Sequence, residues 1–345
     1  MAALLLAGVL AAVLGFAAHR ASICTVRAVA EIMSSGTAHI LLGIGKSVLW
    51  VSAITVPVFL LMPSASAGLS GWPLTGTALL GGLVFGVGAA VNGACAYSTL
   101  ARLADGEGGM LVAAAAFALG VLLYLMLVAA GLIDRPAPAP AVVGMLGWSL
   151  LVGAVLLVPW GLYEVVRLWR TRPAGLAAHA LVLAPQYRLS SAAMLIGVAG
   201  AAIFLIYGSS SYTVTVQQVV EGLRDARSFP ATERWLLLLA ILGGMLFSTL
   251  QRGSFRLDLR PRPIWLRHVC GGLLMGIGVA LTPGGNDALV LYGIPSLSPH
   301  ALPAFLAMVA GIALGLWSMR AWFGIEMRVA CRNDLYTVTG AKPVR

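Results

Sequence analysis

The chain holds four cysteines, and two of them stand where sulfur could meet a ligand. Cys24 follows Arg20-Ala21-Ser22-Ile23 just past one long apolar run. Cys95 sits in Asn92-Gly93-Ala94-Cys95-Ala96-Tyr97-Ser98-Thr99 at the end of another. A protonated thiol is a weak, soft hydrogen-bond donor and a thiolate is a nucleophile, so such residues either pass a ligand along or react with it. There is no Cys-x-x-Cys, and no disulfide framework is expected. Cys270 and Cys331 read as small apolar side chains. Asn92, Ser98 and Thr99 offer neutral donors around Cys95. A second segment, Thr282-Pro283-Gly284-Gly285-Asn286-Asp287, offers Asn286 beside a carboxylate that would oppose an anion. Lys46, in Gly43-Ile44-Gly45-Lys46-Ser47, is the one basic residue deep in an apolar run, where a lysine faces a polar path or snorkels to the surface. It belongs to no phosphate loop, because Ile40 stands where the first glycine of that motif is required. The five histidines are scattered without a pair at ligand spacing, so neither a metal nor another cofactor is expected.

The elements that must position these residues are membrane helices. At 60% hydrophobic and 10% charged, with mean hydropathy +0.94, the 345 residues have too little polar surface to cover a soluble globule. Apolar runs predict nine spans, near 3–19, 38–62, 76–95, 109–132, 143–168, 190–207, 234–250, 267–283 and 299–323. The first run lacks a basic lead-in and Cys24 lacks a lipobox, so that run is expected to be a span. Positive charge gathers after the odd-numbered spans: Arg20 and Arg27, then Arg167, Arg170, Arg172 and Arg188, then Arg252 to Arg267, then the tail. The positive-inside rule therefore predicts an outside N-terminus and a cytoplasmic C-terminus. The net charge of +10 is a topology signal and calls for no nucleic-acid partner.

A repeat organises the spans. Gly81-Gly82-Leu83-Val84-Phe85-Gly86-Val87-Gly88 returns 190 residues later (81 to 271) as Gly271-Gly272-Leu273-Leu274-Met275-Gly276-Ile277-Gly278. The copies fall on the third and eighth spans, which cross in opposite directions, so the repeat is inverted. Alignment sets Gly285 opposite Cys95. A fainter echo, Arg20-Ala21-Ser22-Ile23 against Arg252-Gly253-Ser254-Phe255, has a different spacing, and on that ground the halves are not expected to be simple copies. Irregular backbone at membrane depth survives only inside protein or beside a wet cavity, so the segments after both glycine runs read as re-entrant. The expected architecture is an all-α polytopic membrane protein with inverted pseudo-repeats and broken helices. Its two halves cover about 1–135 and about 185–325, and a tail covers 326–345.

The ordered set Arg20-x-x-Ile23-Cys24, Gly81-Gly82…Gly93-Ala94-Cys95-x-x-Ser98-Thr99-Leu100-x-Arg102 and Gly271-Gly272-Leu273-Leu274-Met275-Gly276-Ile277-Gly278…Gly285-Asn286…Gly293…Leu297-Ser298 resembles the YeeE/YedE family of bacterial inner-membrane transporters for sulfur compounds. The resemblance implies an hourglass of inverted-repeat helices, three functional cysteines on inward loops, thiosulfate as substrate and a TusA-like cytoplasmic sulfur carrier as partner. Cys24 and Cys95 match the first two cysteines. The third falls on Gly285, and Ser98 replaces a family glycine. The substrate path is therefore expected to involve Cys24, Cys95, Gly285, Asn286, Asn92, Ser98, Thr99 and Lys46, in a transporter and not an enzyme. If the glycine had merely lost a donor, Gly285→Cys should be tolerated. The alternatives are a membrane thiol oxidoreductase or sulfurtransferase using the same two thiols, and a structural subunit of a larger complex.

Overall fold

A computed structural model describes residues 1–65, 70–140, 147–171 and 182–338. The start of the fifth expected span, Arg172, Lys342 and Arg345 lie outside the described residues. The first half runs α1 (Ala2–Ala21), α2 (Thr25–Ser35), α3 (His39–Leu61), α4 (Gly76–Asn92), α5 (Ala96–Ala104) and α6 (Gly109–Ala129). After α7 (Gly147–Arg170) the second half runs α8 (Leu189–Tyr207), α9 (Tyr212–Gly222), α10 (Thr232–Arg252), α11 (Ile264–Leu281), α12 (Asn286–Ala288) with a π turn (Leu289–Gly293), and α13 (Ala301–Phe323). Among the described residues nine helical segments are long and apolar enough to cross a membrane. The tail closes as an antiparallel hairpin, Val329–Arg332 against Leu335–Val338.

The order long, short, long, long, short, long occurs twice, and the contacts repeat with it. Helices α4 and α11 cross antiparallel with their backbones in contact. A Cβ at Gly81 would meet the Gly278 carbonyl and one at Gly278 the Gly81 carbonyl, and Gly88 and Gly271 are related in the same reciprocal way. The other small face of each copy seats the last helix of the opposite half. Gly82 and Gly86 lie against the carbonyls of Ala304 and Met308 on α13, while Gly272 and Gly276 lie against those of Ala113 and Phe117 on α6. Lipid offers no hydrophobic drive between helices, so such backbone contact and the dispersion it brings hold the halves together. Helix α7 has no counterpart and packs on α3.

The fainter echo has a different origin from the repeat. Helices α1 and α10 lie side by side, with Gly15 against Ile241 and Gly244 against Ala12. Both end in a left-handed cap, Ser22 (φ 54°) and Gly253 (φ 64°). The shared letters mark two equal helix ends that meet, and they say nothing against a one-to-one match of the six helices. A polar clamp fastens this corner. Arg20 donates to Ser248 (2.9 Å) and Gln251 (2.5 Å), while His19 sits between Ser248 (2.9 Å) and Asp105 (3.1 Å). Thr249 (3.0 Å) and Ser254 (3.3 Å) donate to the same Asp105 oxygen. Burial pushes the Asp105 carboxyl up, and the bonds from His19, Thr249 and Ser254 outweigh it, leaving the group below its ordinary value.

Two outcomes are expected in thermal unfolding of the detergent-solubilised protein. Gly276→Leu costs about 1–3 kcal/mol or more by overpacking, whereas Gly243→Ala, with nothing within 4 Å of the added carbon, leaves the midpoint unchanged. Because the folded carboxyl of Asp105 titrates below the unfolded one, its stabilisation is present above the ordinary carboxylate range and fades as pH falls through the depressed value. The gap between wild type and Asp105→Asn should therefore narrow below about pH 4.

Candidate functional site

Each short helix begins in the interior, and its cap residue is buried there. Extended backbone at Cys24, Cys95, Ser211 and Gly285 leads into α2, α5, α9 and α12. Each cap carbonyl takes the first helical bond, from Ala28, Thr99, Thr215 and Leu289. The first-turn N–H groups of these helices have no partner inside their own helix and, with the positive end of the helix dipole, favour negative charge. Cys24 and Cys95 are both 1% exposed, are unoxidised and lie within side-chain hydrogen-bonding reach of one another. The Cys24 sulfur faces the N–H of Cys95 and Arg27, and the Cys95 sulfur faces those of Ser98 and Thr25.

Three cavities follow one another through this region. The central one, about 60 Å³, is bounded by Cys24, Thr25, Ser47, Cys95, Tyr97, Asn286 and Asp287 on an otherwise apolar wall. On one side a cavity of about 680 Å³ shares Tyr97 and Ile23 with it and carries Arg27, Arg102, Arg252 and Arg256. On the other side, beyond α12, a cavity of about 530 Å³ holds Arg135, Arg234, Gln217, Gln218 and Tyr292. Some of the charge is paired, as in Arg102 with Glu107 (2.5 Å) and Arg135 with Glu221 (2.6 Å). Arg234 instead bonds Gln218 (2.8 Å) and makes no ion pair among the described residues. Guanidinium groups, with the carboxylates of Asp105, Glu107, Asp258 and Glu221 among them, line the two wide cavities, and thiols, hydroxyls, one amide and the Asp287 carboxyl line the small one, the waist.

The sequence-derived candidates divide into those that bound the waist and those that support it. Cys24, Cys95 and Asn286 bound it directly; Asn286 Nδ2 reaches Thr25 Oγ1 (3.3 Å), while its Oδ1 is buried without a partner. Asn92 and Thr99 fasten the re-entrant turn. Asn92 bonds Thr99 (3.0 Å), the Ala94 carbonyl (3.0 Å) and His268 (2.8 Å) around the left-handed Gly93 (φ 75°). Ser98 faces the arginine-rich cavity. Lys46 is not brought to the thiols: it bonds Ser190 (2.8 Å) and Glu164 (3.1 Å) beside a separate lateral cavity of about 970 Å³.

Gly285 differs from its expected role for a steric reason. A Cβ there would overlap the side chain of Thr213, with Thr213 Oγ1 only 2.8 Å away. Thr213 accepts from the Gly285 N–H (3.2 Å), donates to Asp287 Oδ1 (2.5 Å) and adds its own N–H to Asp287 Oδ2 (3.2 Å). The volume beside the Gly285 cap is thus filled from α9 by the Thr213 side chain, its methyl nearest. Thr213, Ser211, Thr25 and Tyr97 were not singled out from the sequence. The signal for the first two was the polar run Gly208-Ser209-Ser210-Ser211 closing the sixth apolar stretch, a break without a cysteine to mark it.

With this geometry in view, comparison with known families is decisive: the sulphur transport family model matches residues 20–314, nearly the whole chain. The chain belongs to this family, YeeE/YedE. A comparison with curated proteins finds no match. A sulphur-transport member with nine membrane-length apolar helices among its described residues is a multi-pass membrane protein for sulfur compounds, and the matched stretch includes all four cap residues and the arginines of both wide cavities.

Gly285→Cys alone is expected to disturb this cap, lowering folded yield and flux together. Thr213→Gly combined with Gly285→Cys, which removes all three overlapping atoms, should recover both, as read by size-exclusion profile and anion uptake. Wild-type behaviour of the single variant would show that Thr213 does not hold that volume.

Proposed function

We propose that the chain takes up thiosulfate across the inner membrane of a bacterium, with the arginine-rich mouth and the C-terminus in the cytoplasm and the N-terminus outside. All 345 residues then act as one transport unit, its halves near 1–135 and 185–325 and its tail 326–345. The observation that carries this reading is the pair of buried thiols at converging helix N-termini, in a waist of about 60 Å³ between two arginine-bearing cavities.

A dianion in a dry apolar medium faces a Born penalty of tens of kcal/mol, so a path must supply donors in place of water. Arginines at the mouths gather the anion by long-range attraction. At the waist a guanidinium would trap it, whereas a thiol and a backbone N–H hold it weakly and let it leave, as conduction requires. A thiol donates only while it holds its proton. Cys24 and Cys95 form the relay; Asn286 extends it, and Asn92, Ser98 and Thr99 shape its frame. A TusA-like sulfur carrier then meets the anion at the arginine-rich mouth and removes it. Entry of two negative charges into an inside-negative cell costs about 4.6 kcal/mol per 100 mV, so consumption or coupling must offset it.

The test is uptake of labelled thiosulfate, with sulfite, sulfate and selenium analogues as competitors, by the full chain in liposomes. Cys24→Ala and Cys95→Ala should each reduce uptake about tenfold, the loss of roughly one hydrogen bond of 1.4 kcal/mol. Unchanged uptake in both variants would overturn the relay. A persulfide trapped on either cysteine would favour a sulfurtransferase, and absence of transport by the pure protein a structural subunit.

A further inference from the structure

We infer that Asp287 couples the passage of the sulfur anion to a proton: the anion occupies the waist only while the Asp287 carboxyl carries a proton, and that proton crosses with it. This inference rests on the transport reading above and extends it to the driving force.

Asp287 is 6% exposed and bounds the same cavity of about 60 Å³ as Cys24 and Cys95. Its described hydrogen-bond donors from other elements are the N–H (3.2 Å) and hydroxyl (2.5 Å) of Thr213, and among the described residues no lysine, arginine or histidine forms an ion pair with it. The groups that face this cavity are accounted for element by element. Helix α2 brings Cys24 and Thr25, and α5 brings Cys95 and Tyr97. Thr213 of α9 bonds Asp287 from outside the cavity lining, and the hydroxyls of Tyr97, Tyr212 and Tyr292 are within electrostatic reach of it. Helices α1, α3 and α8 bring nothing titratable to the cavity. Arg27 by Cys24 and Arg234 by Tyr292 each line a wide cavity and not this one.

A carboxylate in that position and a dianion beside it are like charges in a space of about 60 Å³, with room for only about two waters, so screening is weak and one disfavours the other. Protonation removes the conflict and reverses the role of the group, because a neutral carboxyl donates where a carboxylate only accepts. Asn286 Oδ1 is an acceptor buried there without a partner, and a protonated carboxyl beside it supplies a donor. Thr213 does not bring one, since its hydroxyl accepts from Gly285 and donates to Asp287. Asp287 is also placed to exchange with both sides. Tyr97 borders the arginine-rich cavity and the waist, while Ala288, the next residue along, borders the opposite cavity. The cycle balances simply: the carboxylate takes one proton on the entry side, one dianion passes, and the proton leaves on the exit side. No bond other than O–H is made or broken, and the charge moved per anion falls from two to one.

The experiment uses the full-length protein in liposomes containing a trapped pH dye, with labelled thiosulfate outside. The wild type is expected to acidify the lumen only when thiosulfate is present, one proton per anion. Its steady-state accumulation should rise about tenfold for each pH unit of inward proton gradient. Asp287→Asn should lose both the acidification and the gradient dependence of whatever uptake it retains; should it fold poorly, Asp287→Glu is expected to keep coupling with a displaced pH profile. Thiosulfate uptake by the wild type without acidification, or acidification that survives in Asp287→Asn, overturns the inference and leaves the transport reading standing. Failure of the wild type to take up any sulfur anion overturns both.

Discussion

The backbone contact between α4 and α11 is the constraint on which the rest depends. Four glycines, Gly81, Gly88, Gly271 and Gly278, bring two antiparallel helices together so closely that each would-be Cβ falls on a carbonyl of the other. Helices at that separation cannot be pushed apart without losing the contact along their whole length, since lipid offers nothing to replace it. The segments that follow them, led by Cys95 and Gly285, are therefore held on opposite sides of one short interior region. The same logic operates at α1 with α10 and at α3 with α8, where Gly15, Gly244 and Gly197 play the corresponding part. Interlocking of the halves fixes the positions of the caps, and the caps form the site.

A break in a membrane helix exposes backbone that the bilayer cannot satisfy. Placing four breaks in one interior spot turns that cost into function, because unsatisfied N–H groups are the donors an anion needs. The structure leaves their number uneven. At Cys24 and Cys95 the donors face sulfur atoms. At the Ser211 cap the side chain takes the Val214 N–H (3.3 Å), and the Thr213 N–H is given to Asp287. The first half thus directs its donors at sulfur atoms, and the second half directs its own at oxygens. That asymmetry accords with thiols in one half and hydroxyls in the other.

Much of this was legible in the chain. The glycine spacing carried the inverted repeat, and Cys24 and Cys95 marked two caps because a thiol beside a polar break stands out against apolar sequence. The third cap was hidden for the same reason in reverse: Ser211 follows Gly208-Ser209-Ser210 and reads as an ordinary span end. The meaning of Gly285 was also out of reach, because whether a missing Cβ is vacancy or occupied volume depends on Thr213, 72 residues away in sequence. Lys46 shows a third limit. Sequence gave its depth in the membrane but not its direction around the helix, and only the packing of α3 against α7 and α8 assigns it to Glu164 and Ser190.

The distribution of charge explains why Lys46 is better kept aside. An unpaired cation at the waist would deepen the well for a dianion, and a deep well slows release more than it speeds entry. Arginines are found instead in the wide cavities, where water screens them and attraction acts over distance. Lys46 is neutralised by Glu164, which Arg167 also engages (2.5 Å), so its charge is turned toward the lateral surface. What remains at the centre is one ionisable carboxyl among neutral donors, and the sign of the waist is then set by whether Asp287 carries its proton.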